Sequence, residues 1–254
     1  MQEKSMIKKG LVYAIIPARS GSVSIKDKNI RLLHGHPLLS YSIAAAKMSN
    51  CIDRTIVTTD SENYAAISRQ YGAETPFIRP KGISDNNSTD LEFMEHAISW
   101  FADNEALLPE YWIHLRPTTP IRDPKVIDEA IEIIGSNEEA TCLRSFHKTN
   151  ECPFKWFTKE KDGFYHTLTG ISPDEANGPR QQYPTVYVPN GYVDVLRTEY
   201  IIYNHKLHGD KVLGFEVNPT IDIDYETDFT MADDCENKLL IEWLDAAVSG
   251  KSDS

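Results

Sequence analysis

The chain has 254 residues, enough for one α/β domain with an insertion or for two small domains sharing a core. Its 26 basic and 38 acidic residues leave a net charge of −12, which argues against a broad nucleic-acid or anionic-membrane surface and confines any basic cluster to a local site. Cys51, Cys142, Cys152 and Cys235 show neither CxxC pairing nor zinc-like spacing, no signal-peptide core precedes residue 11, and no apolar run reaches membrane-span length. A reduced, cytoplasmic protein is expected.

Leu11 to Ile16 reads as a buried strand that gives way abruptly to small, flexible and basic residues from Pro17 to Asn29. Glycine and serines let backbone N–H groups approach a ligand there, and Arg19, Lys26 and Lys28 add positive charge. The loop suits a polyphosphate, with an ordinary surface loop as the alternative. Neither the Walker pattern nor the GxGxxG dinucleotide fingerprint is present.

Pro37 to Met48 has helical spacing, Thr55 to Thr59 reads as a short buried strand, and Asp60-Ser61-Glu62 caps a helix that Gly72 stops. A strand from Thr75 to Ile78, a helix from Thr89 to Ala102, a strand from Tyr111 to Leu115, a helix from Pro124 to about Ile134 and a strand from Thr141 to Arg144 follow. Alternating strands and helices predict a doubly wound, mainly parallel α/β sheet with ligands at the carboxyl ends of its strands. From Ser145 to about His208 aromatics, prolines and short β-like runs replace the helix periods, so residues 145–208 read as an inserted β-rich arm on a domain formed by 1–144 and 209–254. Val212 to Val217 returns to strand character, Tyr225 to Ala247 reads as one terminal helix, and Ser249 to Ser254 as a frayed tail.

Three further features carry chemistry. In Ile221-Asp222-Ile223-Asp224 the period of two puts both carboxylates on one side, as a magnesium ion bridging phosphates requires, or as a solvated surface strand shows equally. In the arm, Arg180 can grip a carboxylate with Lys155 adding charge, or both are surface charges on a hairpin. Arg79 and Asn87-Ser88 can line a nucleoside pocket, although Asn87-Ser88-Thr89 is also a plain helix start.

Together, Ile16-Pro17-Ala18-Arg19 with Gly21-Ser22 and Lys28-Asn29, Val57-Thr58-Thr59-Asp60, Arg79-Pro80, Arg116 to Arg122, Pro179-Arg180-Gln181-Gln182, Pro189-Asn190-Gly191 and Ile221 to Asp224 resemble the CMP-sialic acid synthetase family. These cytidylyltransferases activate nine-carbon sugar acids, and the match runs from about Val12 to Asp228. The resemblance implies a Rossmann-like fold of the nucleotide-diphospho-sugar transferase type and a homodimer whose arms reach across to the partner. It implies that Ala18, Arg19, Ser20, Gly21, Ser22, Lys28, Asn29, Arg79, Asn87 and Ser88 meet CTP. Arg116, Thr118, Lys155, Arg180, Gln181, Asn190 and Asp194 would face the sugar acid, and Asp222 and Asp224 would hold Mg²⁺. Arg19, Lys28 and Asp222 are then the catalytic residues, as the anomeric hydroxyl attacks the α-phosphorus and pyrophosphate leaves.

Two departures stand inside these motifs. Val23-Ser24 replaces the usual Lys-Gly, leaving Lys26 as the candidate compensating cation. Arg116 replaces a typical glutamine, which suggests a more anionic or differently substituted acceptor and a buried pair with Asp194, where a tyrosine is often found. An enzyme for another acceptor, and a nucleotide-binding regulator without turnover, remain the alternative readings.

Overall fold

A computed structural model describes residues 3–22, 24–235 and 237–250; Val23 and the last four residues of the expected tail lie outside the described residues. The central sheet has six strands: β1 (Ile7–Pro17), β2 (Arg54–Thr58), β3 (Leu108–His114), β4 (Cys142–Lys148), β5 (Tyr187–Arg197) and β6 (Val212–Glu216). They are ordered β6-β4-β5-β3-β1-β2. β1 pairs in parallel with β2 and β3, β6 pairs in parallel with β4, and β5 runs antiparallel between β3 and β4.

The sheet is covered on both faces at β1, which is apolar on both. Val12, Ala14 and Ile16 enter one core layer while Tyr13 and Ile15 enter the other, as the two-residue side-chain period dictates. The first layer receives α1 (Leu38–Met48), α2 (Glu62–Gln70), α4 (Pro124–Gly135), α6 (Glu226–Asp233) and α7 (Lys238–Ser249). The second receives α3 (Asp90–Glu105) and α5 (Thr198–Asn204), around a cluster of Tyr13, Phe101 and Trp112 rings meeting edge-on or tilted. Helix starts follow local chemistry: Ser61 and Asp123 accept backbone N–H groups of α2 and α4, and Thr89 forms a capping box with Glu92.

Three expectations change. Thr75 to Ile78 is not a strand: Glu74 makes a single bridge to Ile56, and Pro76, which has no N–H to donate, then turns the chain so that Phe77 packs on His96 and Trp100. The terminal helix is two helices, since the Asn237 side chain accepts from Leu240 N to start α7 and donates to the Arg122 carbonyl. The stretch 145–208 is not one separate arm. Residues 187–197 are β5 of the central sheet and Thr198–Asn204 is α5 of the second core layer, so the excursion from the sheet spans residues 149–186, with a small hairpin of Phe157–Lys159 and Tyr165–Thr167.

Because β5 is antiparallel, its N-terminal half lies at the same end of the sheet as the carboxyl ends of β1, β2 and β3. There it bulges: Arg144 faces Asp194, but Phe146 faces Pro189, and Gly191 takes the left-handed φ of +66° that the bulge needs. Arg122, wholly buried, secures the bulge. Its Nε donates to the Tyr192 carbonyl at 2.6 Å, its terminal nitrogens to the carbonyls of Gly191 at 3.1 Å and Arg116 at 2.7 Å and to Ser42 Oγ at 2.9 Å. Burial pulls the Arg122 pKa down to about 9, so it remains a cation at neutral pH. Replacing it as Arg122→Met is expected to lower unfolding free energy by about 3 kcal/mol or more, because one buried and two partly buried carbonyls lose their donor. Urea unfolding monitored by tryptophan fluorescence measures this, and a loss below about 1 kcal/mol would contradict the role.

Candidate active site

A cleft of about 490 Å³ opens at the carboxyl ends of β1 and β3. Its first wall is the loop after β1. Ala18 N donates to Thr58 O, which carries β1 one residue further along β2. Ser20 N and Oγ each donate to a different oxygen of Asp60, both at 2.7 Å, and Asn29 Nδ2 holds the Arg19 carbonyl at 3.0 Å. Gly21 follows with φ of +77°, a left-handed backbone in which a side chain is strained. The loop is therefore shaped by its own side chains before any ligand arrives. Arg19, Ser22, Ser24, Lys28 and Asn29 line the cleft, whereas Ala18 is fully buried and Ser20 is turned to Asp60. Lys26, the expected compensating cation, is exposed and lies off the lining.

Lys28 joins this wall to the segment before α6. Its buried Nζ donates to the Ile223 carbonyl at 2.7 Å and to Asp224 Oδ1 at 3.1 Å. Ile223 is fully buried, its N–H bonded to the Thr118 carbonyl at 2.8 Å, so the alternation expected for Ile221 to Asp224 holds without a strand ladder. Asp228 Oδ2 accepts from the N–H groups of Asp224 and Tyr225, and these bonds hold its own pKa below the usual range. Asp224 lines the cleft; Asp222 is exposed outside the lining. Among the described residues no group of three or more His, Cys, Asp or Glu side chains stands ready for a metal.

On the opposite side Arg79 is 4% exposed, and its Nε and one terminal nitrogen are buried without a partner. Burial pulls its pKa below the ordinary value, and its guanidinium lies 5.6 Å from the Phe93 ring centre. Unpaired buried donors bordering a cleft are what a bound polar ligand would satisfy. Ser88 also lines the cleft, though its hydroxyl is engaged with Asp85; Asn87 is exposed and outside the lining.

The far wall is a charge network. Arg116, on the cleft lining beside Thr118, donates from one terminal nitrogen to Asp194 at 2.9 Å and from the other to Asp90 at 3.0 Å. The expected Arg116–Asp194 pair is thus present. Asp194 is 1% exposed, sits in register between His114 and Arg144, and takes Arg144 Nε at 3.2 Å, with His208 Nε2 at 3.9 Å. Burial alone would raise the Asp194 pKa, but His208, Arg116, His114 and Arg144 outweigh it and hold the carboxyl well below the usual range. Burial, reinforced by Arg116, pushes His114 down to about 4.

The residues expected to meet the acid from the excursion stand elsewhere. Lys155, Arg180 and Gln181 are outside the lining, and Arg180 donates to the Thr149 carbonyl at 2.8 Å. Asn190, in the bulge, is buried with Nδ2 unpartnered and Oδ1 accepting from Tyr192 N.

A family model described as Cytidylyltransferase matches residues 13–220, a span that contains the loop, Arg79, the Arg116 wall and the bulge. The chain belongs to the cytidylyltransferase family. Within this family it is similar to the N-acylneuraminate cytidylyltransferase of Escherichia coli O18:K1:H7, at 33% identity over 223 residues, 87% of this chain and 51% of that protein. It is also similar to the CMP-N,N'-diacetyllegionaminic acid synthase of Legionella pneumophila, at 38% identity over 128 residues, 48% of this chain and 52% of that protein. The chain thus spans about half the length of the curated relatives it matches. A solved CMP:2-keto-3-deoxy-manno-octonic acid synthetase complexed with CTP aligns with a TM-score of 0.63 at 14% identity, covering 89% of this chain and all of that one, a likeness of fold.

Four residues in and behind the walls of this cleft went unassigned by sequence reasoning: Asp60, Asp90, Arg122 and Arg144. Asp60 and Asp90 read as helix-start residues, and Arg122 and Arg144 reach Tyr192 and Asp194 across distant segments.

His114 makes stability depend on pH. Its folded pKa of about 4 lies below the ordinary 6.5, so the unfolded chain binds this proton first as pH falls. Its contribution is complete above about 6.5, is lost progressively toward 4 and amounts to about 3 kcal/mol. Asp194, with a depressed pKa, retains its own contribution through that window and loses it only at lower pH. Urea titrations across this range should show the decline in the parent protein and a shallower one in His114→Gln; equal slopes would refute the assignment.

Proposed function

We propose that the chain activates a nine-carbon 2-keto sugar acid with CTP, giving the CMP-sugar and pyrophosphate. The observation that carries this reading is the meeting, in one cleft of a cytidylyltransferase-family chain, of the Arg19–Lys28 loop with Asp224 and with Arg79, two of whose buried nitrogens lack a partner. The names of the relatives, which act on neuraminic and legionaminic acids, support the acceptor class.

In this reading the triphosphate lies along the loop, where Arg19, Ser22 and Lys28 meet it, and Arg79 with Phe93 borders the nucleoside. The anomeric oxygen bonds to the α-phosphorus as the bond to the bridging oxygen breaks; pyrophosphate leaves and the hydroxyl proton passes to water. Lys28 and Arg19 stabilise the charge growing on the leaving group. Asp224, with Asp222 beside it, would hold Mg²⁺, an ion that keeps several waters and needs one or two carboxylates plus phosphate oxygens, so the donor set fits. Bound there, the ion would neutralise phosphate charge.

The excursion serves as a dimerisation arm, a role supported by the exposed Trp156, Phe157, Phe164, Tyr165 and Leu168 on it. Arg180 and Lys155 meet the acid of a partner's site. In this reading the reaction takes place in the cytoplasm, a location that the four free cysteines support.

Pyrophosphate release from CTP and Mg²⁺ over a panel of nonulosonic acids tests the reading. Asp224→Asn should reduce release by about a hundredfold or more. Arg180→Ala should raise KM for the acid while leaving KM for CTP unchanged. Near-parental activity of Asp224→Asn, or an Arg180→Ala effect confined to CTP, would overturn the respective role.

A further inference from the structure

The wall formed by Arg116 carries an inference that rests on the proposed function and narrows its acceptor. An arginine at this place suggests, from sequence, a site for extra negative charge. The geometry argues otherwise. Both terminal nitrogens of Arg116 are committed to carboxylates, Asp194 at 2.9 Å and Asp90 at 3.0 Å, and Arg144 is committed to Asp194 at 3.2 Å. Two guanidinium groups face two carboxylates, and His114, held neutral by burial, adds no charge at neutral pH.

The order of exposure decides what a ligand meets. The Asp194 side chain is 1% exposed, Arg116 25% and Asp90 43%, so the network runs from a buried anion outward to a second anion on the cleft lining. The inner pair fixes the Arg116 guanidinium, and Arg116 in turn fixes Asp90 on the first turn of α3. The Arg116 stem passes beside Gly191, where an added Cβ would stand 3.6 Å from Arg116 Cδ. Of the Asp90 oxygens, Oδ2 is taken by Arg116, with His114 Nδ1 at 3.9 Å, while Oδ1 has no hydrogen bond among the described residues.

We propose that Asp90, held by Arg116 and Asp194, selects acceptors that present a hydrogen-bond donor to this wall and disfavours those that bring a second anionic group there. The donor is an amine, an acylated amine or a hydroxyl. A carboxylate accepts from such a group strongly and repels a phosphate or carboxylate at the same distance. Asp90 is thus a specificity residue that touches the acceptor, and Arg116 and Asp194 are the positioning residues behind it.

The test uses a matched series of nine-carbon keto acids that differ in one substituent, an amine, a hydroxyl or a phosphate, with CTP and Mg²⁺ held constant. Pyrophosphate release gives kcat/KM for each acid, and calorimetry with the acid and CTP gives binding. The parent should favour the amine or hydroxyl acid over the phosphate acid by about tenfold or more, and Asp90→Asn should shrink that ratio by about tenfold, with KM for CTP unchanged. Asp90→Asn is nearly isosteric and leaves the Thr89 cap in place, and thermal melting checks that it folds. An unchanged ratio, or an effect on CTP in place of the acid, overturns the selectivity while sparing the proposed function. If the parent neither turns over nor binds any acid of the series, the proposed function fails and the inference with it.

Discussion

The buried guanidinium of Arg122 is the constraint on which this end of the molecule depends. It is a full charge in the core with no carboxylate in contact among the described residues, sustained by three carbonyls and one hydroxyl. Such a charge is costly to desolvate, and it is tolerated because four of the five N–H donors of its fork meet an oxygen. Those oxygens belong to three places: α1, the turn after β3 and the bulge of β5. Arg122 therefore sets the distance between Arg116 and Gly191, and with it the position of the far wall.

The cleft also shows a local charge distribution at odds with the net charge of −12. Cations are concentrated on the loop after β1, while the far wall is balanced within itself. Lys28 ties the loop to the segment before α6: it is buried enough to be fixed, and its partner Asp224 is exposed enough to be approached.

Much of this was legible in the residues. Strands β1 to β4 and helices α1 to α4 follow from apolar period and from caps at Ser61, Thr89 and Asp123, and the loop after β1 announced itself by composition. The pair of Arg116 with Asp194 was also foreseen from two departures in their motifs. What escaped has a common cause in sequence separation. The bond from Lys28 to the Ile223 carbonyl joins residues 195 apart, and Arg122 reaches Tyr192 across 70. The β-like residues of β5 gave no sign of which sheet would receive them, because a half-buried strand reads alike in an arm and in a core. Asp90 was hidden differently: directly after a threonine cap, an aspartate reads as a helix-dipole residue.

The two ends of the excursion have a consequence for how such a molecule can vary. Lys148, the last residue of β4, lies in register with Tyr187, the first of β5, so residues 149–186 leave and re-enter the sheet at adjacent points. A segment closed in this way adds little strain to the frame whatever its length, since the entropy of closure rises only as the logarithm of the residues enclosed. Insertions, deletions or wholesale replacement between those two residues would leave the six-strand register untouched. The fold thus offers descent a detachable margin beside a closed frame, and diversification can proceed in one without renegotiating the other.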